Sequence, residues 1–363
     1  MQSSPTIPLL RREDFQGVVD GKPTDLYTLA NRRGMAVRFT SFGAKIQQIV
    51  VPDRDGVLGD VALGYQSIAQ VLTGQTSLGA FVGRYANRIG SARFSLDGQT
   101  YQLAQNSGPN CLHGGKIGSR LRVFEVRQLD DASAELKLQY RAGEENFPGN
   151  LTSRVIYRVT EDNELSIEYE AVTDAPTVLN FTSHGYFNLA GHGRTDAQTA
   201  GNHRLKINAS QFTPIDANSI PTGEYRAVAG TPLDFTLPQS IGARADEPWQ
   251  QFELTKGYDH NWVLDKAPGE YALAASIYDP LSGRRMDVLT TEPGLQFFGG
   301  NGFTGEAPRD VGKGGAVYGH RAGFCLEPQH FPDSPNKPLF PATVLRPGER
   351  FSGRITYRFG IGE

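Results

Sequence analysis

The stretch SRVIYRVTEDNELSIEYEAV, residues 153–172, decides the fold. Val155, Tyr157 and Val159 alternate with polar neighbours, and Leu165, Ile167 and Tyr169 do the same after the turn Glu161-Asp162-Asn163. A period of two is the mark of a strand, because successive side chains leave a pleated backbone on opposite faces. Two such runs around a short polar turn make a hairpin.

The pattern spreads outward in both directions. Leu136, Leu138 and Tyr140 alternate just upstream. Phe94 and Leu96 run into Asp97-Gly98 and then TYQL, a second hairpin with a good type I′ turn pair. ALAASIYDPLSGRRMDVLTT, residues 272–291, reads as a third, turning at Pro280 to Gly283. Short strands punctuated by Gly and Asp fill LYTLANRRGMAVRFTSFGAKIQQIVVPDRDG, residues 26–56. Helical periodicity is confined to a turn or two within IGARADEPWQQF, residues 241–252, and residues 191–232 look like a strand-poor loop excursion. With 42 Gly and 22 Pro spread throughout, the expected class is all-β, a large antiparallel β-sandwich with little helix.

The 363 residues allow two domains by length alone, but neither a low-complexity linker nor an internal repeat divides them. Residues 1–363 therefore read as a single sandwich domain. A net charge of −3 gives no general pull toward nucleic acid or anionic membrane. Apolar runs such as Ile49-Val50-Val51 are far too short to span a bilayer. The beginning, MQSSPTIPLLRREDF, lacks the apolar core of a signal peptide, which predicts a cytoplasmic protein. Two cysteines, Cys111 and Cys325, fit a reducing compartment rather than a disulfide framework. Asn150, Asn180 and Asn208 open glycosylation sequons that stay idle without secretion.

Several motifs fail on context. Gly300-Asn301-Gly302-Phe303-Thr304-Gly305 satisfies G-x-G-x-x-G, but EAPRDVGKGG follows where a dinucleotide site needs a helix. The seven histidines show no H-E-x-x-H and the cysteines are far apart, so no metal site is expected. No nucleophile elbow of the form G-x-S-x-G is present.

What remains is polar chemistry beside glycine and aromatic residues. FCLEPQHFPDSPN, residues 324–336, sets Glu327 among Phe324, Cys325, Leu326 and Pro328, and apolar surroundings raise a carboxyl's pKa. GRYANRIG (83–90), NSGPNCLHGG (106–115), FTSHGYFNLAG (181–191) and GYDHNWVL (257–264) each lie at a strand end or in a turn, where a rigid scaffold can present a side chain to a ligand. Singly, each has a dull explanation. His113 could cap a turn, His184 could satisfy a core hydrogen bond, Asp259 could bind a backbone amide, and Arg88 could pair with any acid.

In this order the stretches resemble the aldose 1-epimerase (galactose mutarotase) family. The resemblance rests on Asn87-Arg88 in ANRI, His113 in LHGG, His184 in TSHGYFNL, Asp259 in GYDHN, Gln296 in PGLQFF and Glu327 in LEPQHFPDSPN. It implies a galactose mutarotase-like supersandwich that binds a small-molecule aldose in an open cleft, with no metal and no organic cofactor; a β-sandwich can be a monomer or, through an edge, a homodimer, and both stay open. Carried over by position, it makes Glu327 the general base and His184 the general acid. Asn87, Arg88, His113, Asp259 and Gln296 become substrate contacts, His113 also helping to stabilise charge. Cys111 and Phe124 depart from the family's usual choices and leave pocket shape open.

The implied chemistry suits these residue types. Exchanging α and β anomers of a free aldose such as galactose or glucose opens the hemiacetal, removing a proton from the C1 hydroxyl and giving one to the ring oxygen. An acid and a base on opposite sides of the ring avoid either high-energy ion, each typically contributing about 10²–10⁴-fold. Tyr186, Phe187, Trp262, Phe297 and Phe298 could stack on a sugar, though most read as core. Three other readings stay open on sequence. They are a non-catalytic carbohydrate-binding protein, a glycosidase using Asp259 and Glu327, and a hexose-6-phosphate 1-epimerase in which Lys116, Arg120 and Arg122 meet the phosphate.

Overall fold

The hairpin that opened the sequence reading forms as expected. In the computed structural model, which describes residues 9–362, Leu151–Val159 pairs antiparallel with Glu164–Thr173, and Asn163 takes the turn at φ 57°. Both strands belong to a nine-stranded sheet. Its order is Glu125–Asp130, Ser133–Tyr140, Leu151–Val159, Glu164–Thr173, Phe351–Ile361, Arg284–Thr290, Ala272–Tyr278, Arg204–Ile207 and Gln239–Ser240. Residues 1–8, the start of the stretch read for a signal sequence, lie outside the described residues.

The alternation places one apolar row after another on the inner face. Leu136 stands opposite Val155, Val155 opposite Tyr169, and Tyr157 opposite Ile167, which faces Ile355 on the next strand. All of these join one buried cluster. The second layer has two sheets. A four-stranded one, Leu26–Ala30 to Leu58–Asp60, brings Phe39 within 5.1 Å of Tyr157, ring centre to ring centre. A six-stranded one brings Phe187 within 4.9 Å of Tyr357. The result is an antiparallel sandwich with the large cluster between its layers.

The other two hairpins stand at Arg93–Leu96 with Gln99–Gln102, and at Ala272–Tyr278 with Arg284–Thr290. Helix is limited to short pieces; of the region 241–252, where a turn or two was expected, Ile241–Ala243 forms one 3₁₀ turn and Gln250–Thr255 begins at its end and runs past it. One expectation is corrected. Residues 191–232 are not a loop excursion, because Arg204–Ile207 extends the nine-stranded sheet while Gln211–Thr213 and Arg226–Ala227 extend the six-stranded one. These strands are two to four residues long, too short to display a period. The Gly300–Gly305 stretch forms a turn and loop with no helix after it, as its context predicted.

Candidate active site

Register builds the site on the face of the six-stranded sheet that points away from the large cluster. Its strands run Tyr186–Phe187, Phe324–Gln329, Gly294–Phe298, Asp259–Val263, Gln211–Thr213 and Arg226–Ala227. One cross-strand row reads Tyr186, Cys325, Phe298, Asp259. The next, two residues along and so on the same face, reads Glu327, Gln296, Asn261, Thr213. The intervening residues Phe187, Phe324, Leu326, Phe297 and Trp262 point the other way, into the sandwich core. Most of the candidate stacking aromatics are therefore core, as expected, and only Tyr186 and Phe298 share the face of Glu327.

A short ladder supplies the facing wall. Arg88–Ile89 pairs with Cys111–Leu112, and the pairing continues one step to Asn87 and His113, whose backbone N–H donates to the Asn87 carbonyl at 2.9 Å. The Asn87 N–H donates to His113 Nδ1 at 3.1 Å. That bond leaves the His113 proton on Nε2. Asn87 and His113 sit at φ 60° and 52°, a left-handed conformation that costs a histidine free energy and that the surrounding bonds hold in place. Arg120 reinforces the turn, donating to the His113 carbonyl at 2.5 Å and to that of Gly115 at 2.8 Å. Gly114 (φ 77°) has to be glycine, since a Cβ there would stand 2.4 Å from the Gly83 carbonyl oxygen.

His184 lies between the two walls. Its ring stacks on Tyr186 at 5.1 Å and meets His113 edge-on at 5.2 Å. Its Nε2 stands 3.6 Å from Glu327 Oε2, and its Nδ1 stands 3.5 Å from Cys325 Sγ. Asp259 is held at 2.6 Å by the Gln296 amide and at 3.6 Å by the Arg88 guanidinium. All seven residues named from sequence thus fall in one constellation. The acid and base candidates are direct neighbours rather than groups on opposite sides of a ring.

Burial sets the electrostatics. Glu327 is 2% exposed and its Oε2 has no hydrogen-bond partner. Desolvation, helped by the charge of Asp259 and opposed by Arg88, holds its carboxyl well above the usual range. Desolvation lowers His184 to about 4, partly offset by Asp259. It also holds His113 well below the ordinary imidazole value, with His184, Arg120 and Arg88 adding to the effect. His113 is therefore a neutral ring presenting an Nε2–H donor. Gln296 Oε1 and Asn261 Oδ1 are buried without partners beside Glu327, so the face carries acceptors that no protein group satisfies.

Sequence reasoning missed three neighbours. Asn261 and Cys325 lie in the quoted motifs, but only the strand register shows that they share a face with Asp259 and Glu327. Tyr186, named only as one aromatic among several, turns out to be the ring on which His184 rests. Cys111 is buried in a separate cluster under the Arg88 ladder, and Phe124 packs on Phe81 in the core. The proposed phosphate cations are spent or exposed. Arg120 is buried on backbone carbonyls, Arg122 pairs with Glu144 at 2.8 Å, and Lys116 is exposed.

The chain is thus an antiparallel sandwich with a buried carboxyl–imidazole couple on one sheet face. The aldose 1-epimerase family model matches residues 25–358, and the chain belongs to that family. It is 39% identical over 327 residues to a galactose mutarotase from Bos taurus, covering 90% of this chain and 92% of the relative. To an aldose 1-epimerase from Escherichia coli it is 37% identical over 344 residues, covering 94% and 96%. A crystal structure of galactose 1-epimerase from Lactobacillus acidophilus superposes with TM-score 0.82 at 29% identity, covering 96% of this chain and 97% of that one. The chain is an isomerase of this family. No helix among the described residues is long and apolar enough to cross a membrane.

Proposed function

We propose that the chain interconverts the α and β anomers of a free aldose with Glu327 as general base and His184 as general acid. The observation that carries this reading is the 3.6 Å approach of His184 Nε2 to a buried, unpartnered Glu327 Oε2. Glu327 takes the C1 hydroxyl proton while His184 gives one to the ring oxygen. The open-chain aldehyde then rotates about C1–C2, and the same two groups close it in reversed roles. Burial acts on strength and on population in opposite senses. A raised Glu327 is a stronger base once ionised and a lowered His184 a stronger acid once protonated, while the same desolvation makes both of those charged forms scarcer in the free protein.

The remaining groups bind and orient. His113 offers its Nε2–H to charge developing on a sugar oxygen. Asn87, Arg88, Asp259 and Gln296 supply donors and acceptors to ring hydroxyls, as the polar minority of a sugar site does. No step calls for a metal or an organic cofactor. The single-domain organisation is part of this reading and is supported by a core cluster drawing residues from Leu29 to Phe359. So is a cytoplasmic location, with both cysteines free and buried.

A methyl glycoside separates this reading from a glycosidase that uses Asp259 and Glu327. It has no C1 hydroxyl proton to lose, so it should remain intact while free galactose or glucose reaches anomeric equilibrium faster in a polarimeter. Release of methanol would reassign the carboxylates.

A further inference from the structure

Strand register creates a donor set that sequence spacing hides. Cys325 and Glu327 are two residues apart on one strand and share its outward face, and His184 comes from a segment far away in the chain. One donor atom from each, an imidazole nitrogen, a thiol sulfur and a carboxylate oxygen, lie within 4.8 Å of one another. All three residues are buried. A second observation points to a ligand here: Glu327 Oε2 is buried, has no hydrogen-bond partner and belongs to this trio.

We propose that this trio binds Zn²⁺, or a cation of similar softness, as a reversible inhibitor of the proton-transfer couple. Tetrahedral zinc sites have bonds of about 2.0–2.2 Å to nitrogen and oxygen and about 2.3 Å to sulfur. The donors lie within 4.8 Å, but Nδ1 of His184 faces the sulfur and Nε2 the carboxylate, so binding turns the imidazole to bring one nitrogen to the ion as the three donors close. Imidazole, thiolate and carboxylate form a zinc-type set, whereas Mg²⁺ and Ca²⁺ prefer oxygen alone. Coordination releases the Cys325 thiol proton to water, and three protein donors leave a tetrahedral ion one further position. With His184 and Glu327 both ligated, neither can exchange a proton with sugar. The metal therefore blocks catalysis rather than supplying it. The binding rests only on the geometry, while the inhibition also rests on the proposed roles of the couple.

The test uses the full chain, first freed of metal with a chelator. Co²⁺ added as a spectroscopic stand-in should give tetrahedral d–d absorption and a sulfur-to-metal charge-transfer band, which Cys325→Ser should lose. In a polarimetric assay Zn²⁺ should inhibit wild type competitively with sugar, and chelator should restore the rate. Relative to its own metal-free rate, Cys325→Ser should need on the order of 100-fold more Zn²⁺ for half inhibition, having lost the soft donor. If Cys325→Ser does not fold, Glu327→Gln should keep the sulfur band while binding Co²⁺ more weakly. A sulfur band absent from wild type, or Zn²⁺ sensitivity unchanged by the loss of Cys325, would overturn the proposal. Because the Co²⁺ spectrum needs no turnover, it stands even if the mutarotase reading fails.

Discussion

Ionising Glu327 inside the sheet face costs the folded state free energy, because little water and no hydrogen-bond donor compensates the charge. Its folded pKa lies above its unfolded value, so the associated stability is present below about pH 4.5 and is lost as pH rises through the raised folded pKa. Glu327→Gln keeps the shape and removes that cost. It should raise Tm by about 1–3 °C above the folded pKa and leave it nearly unchanged near pH 4.5. A melt series across pH measures this, and a lower Tm at neutral pH would mean that the carboxylate is stabilised in a way the geometry does not reveal. Asp259 raises both Glu327 and His184 through its charge. Asp259→Asn should therefore move both limbs of the pH profile of kcat/KM toward lower pH, while KM rises because a hydroxyl contact is lost. The profile should be taken in chelator and corrected for uncatalysed mutarotation. Immobile limbs would place Asp259 outside the electrostatics of the couple.

Strand alternation makes neighbours in sequence opposites in effect. Leu326 points into the large cluster and Glu327 to the opposite face of the sheet, one peptide bond apart. Leu326→Ala should cost about 2–5 kcal/mol by leaving a cavity. Denaturant unfolding of this variant and Glu327→Gln should give shifts of opposite sign, and a neutral Leu326→Ala would contradict the face assignment. The same alternation explains what the sequence revealed. The hairpins around Asn163, Asp97-Gly98 and Pro280 to Gly283 were legible because their pairing is local and each strand is long enough to show its period. Arg204–Ile207 and Gln211–Thr213 were not, since each is too short to show a period and none of its partner strands follows directly across a turn. The motif residues were legible as a resemblance. Their convergence was not, because the ladder joining Asn87 to His113 and the row joining Glu327 to Gln296 are facts of register.

At the scale of the molecule, the sandwich is a platform whose one functional face gathers residues from Asn87 to Glu327. Its inner layer of aromatic contacts, Phe187 on Tyr357 and Phe39 on Tyr157 among them, fixes the sheets and so fixes the couple. The site is preorganised in the free protein: His184 rests on Tyr186, His113 is locked by Asn87, and Asp259 is held by Gln296 and Arg88. In the proposed reaction one proton leaves the C1 hydroxyl for Glu327 and another passes from His184 to the ring oxygen.

The decisive measurement is polarimetry of freshly dissolved α-anomers of glucose and galactose with wild type, Glu327→Gln and His184→Asn, alongside direct measurement of sugar binding. Wild type should hasten equilibration, and each variant should lose about 10²–10⁴-fold in kcat with sugar binding largely retained. Near wild-type turnover in Glu327→Gln would contradict the assignment of that carboxylate as the base.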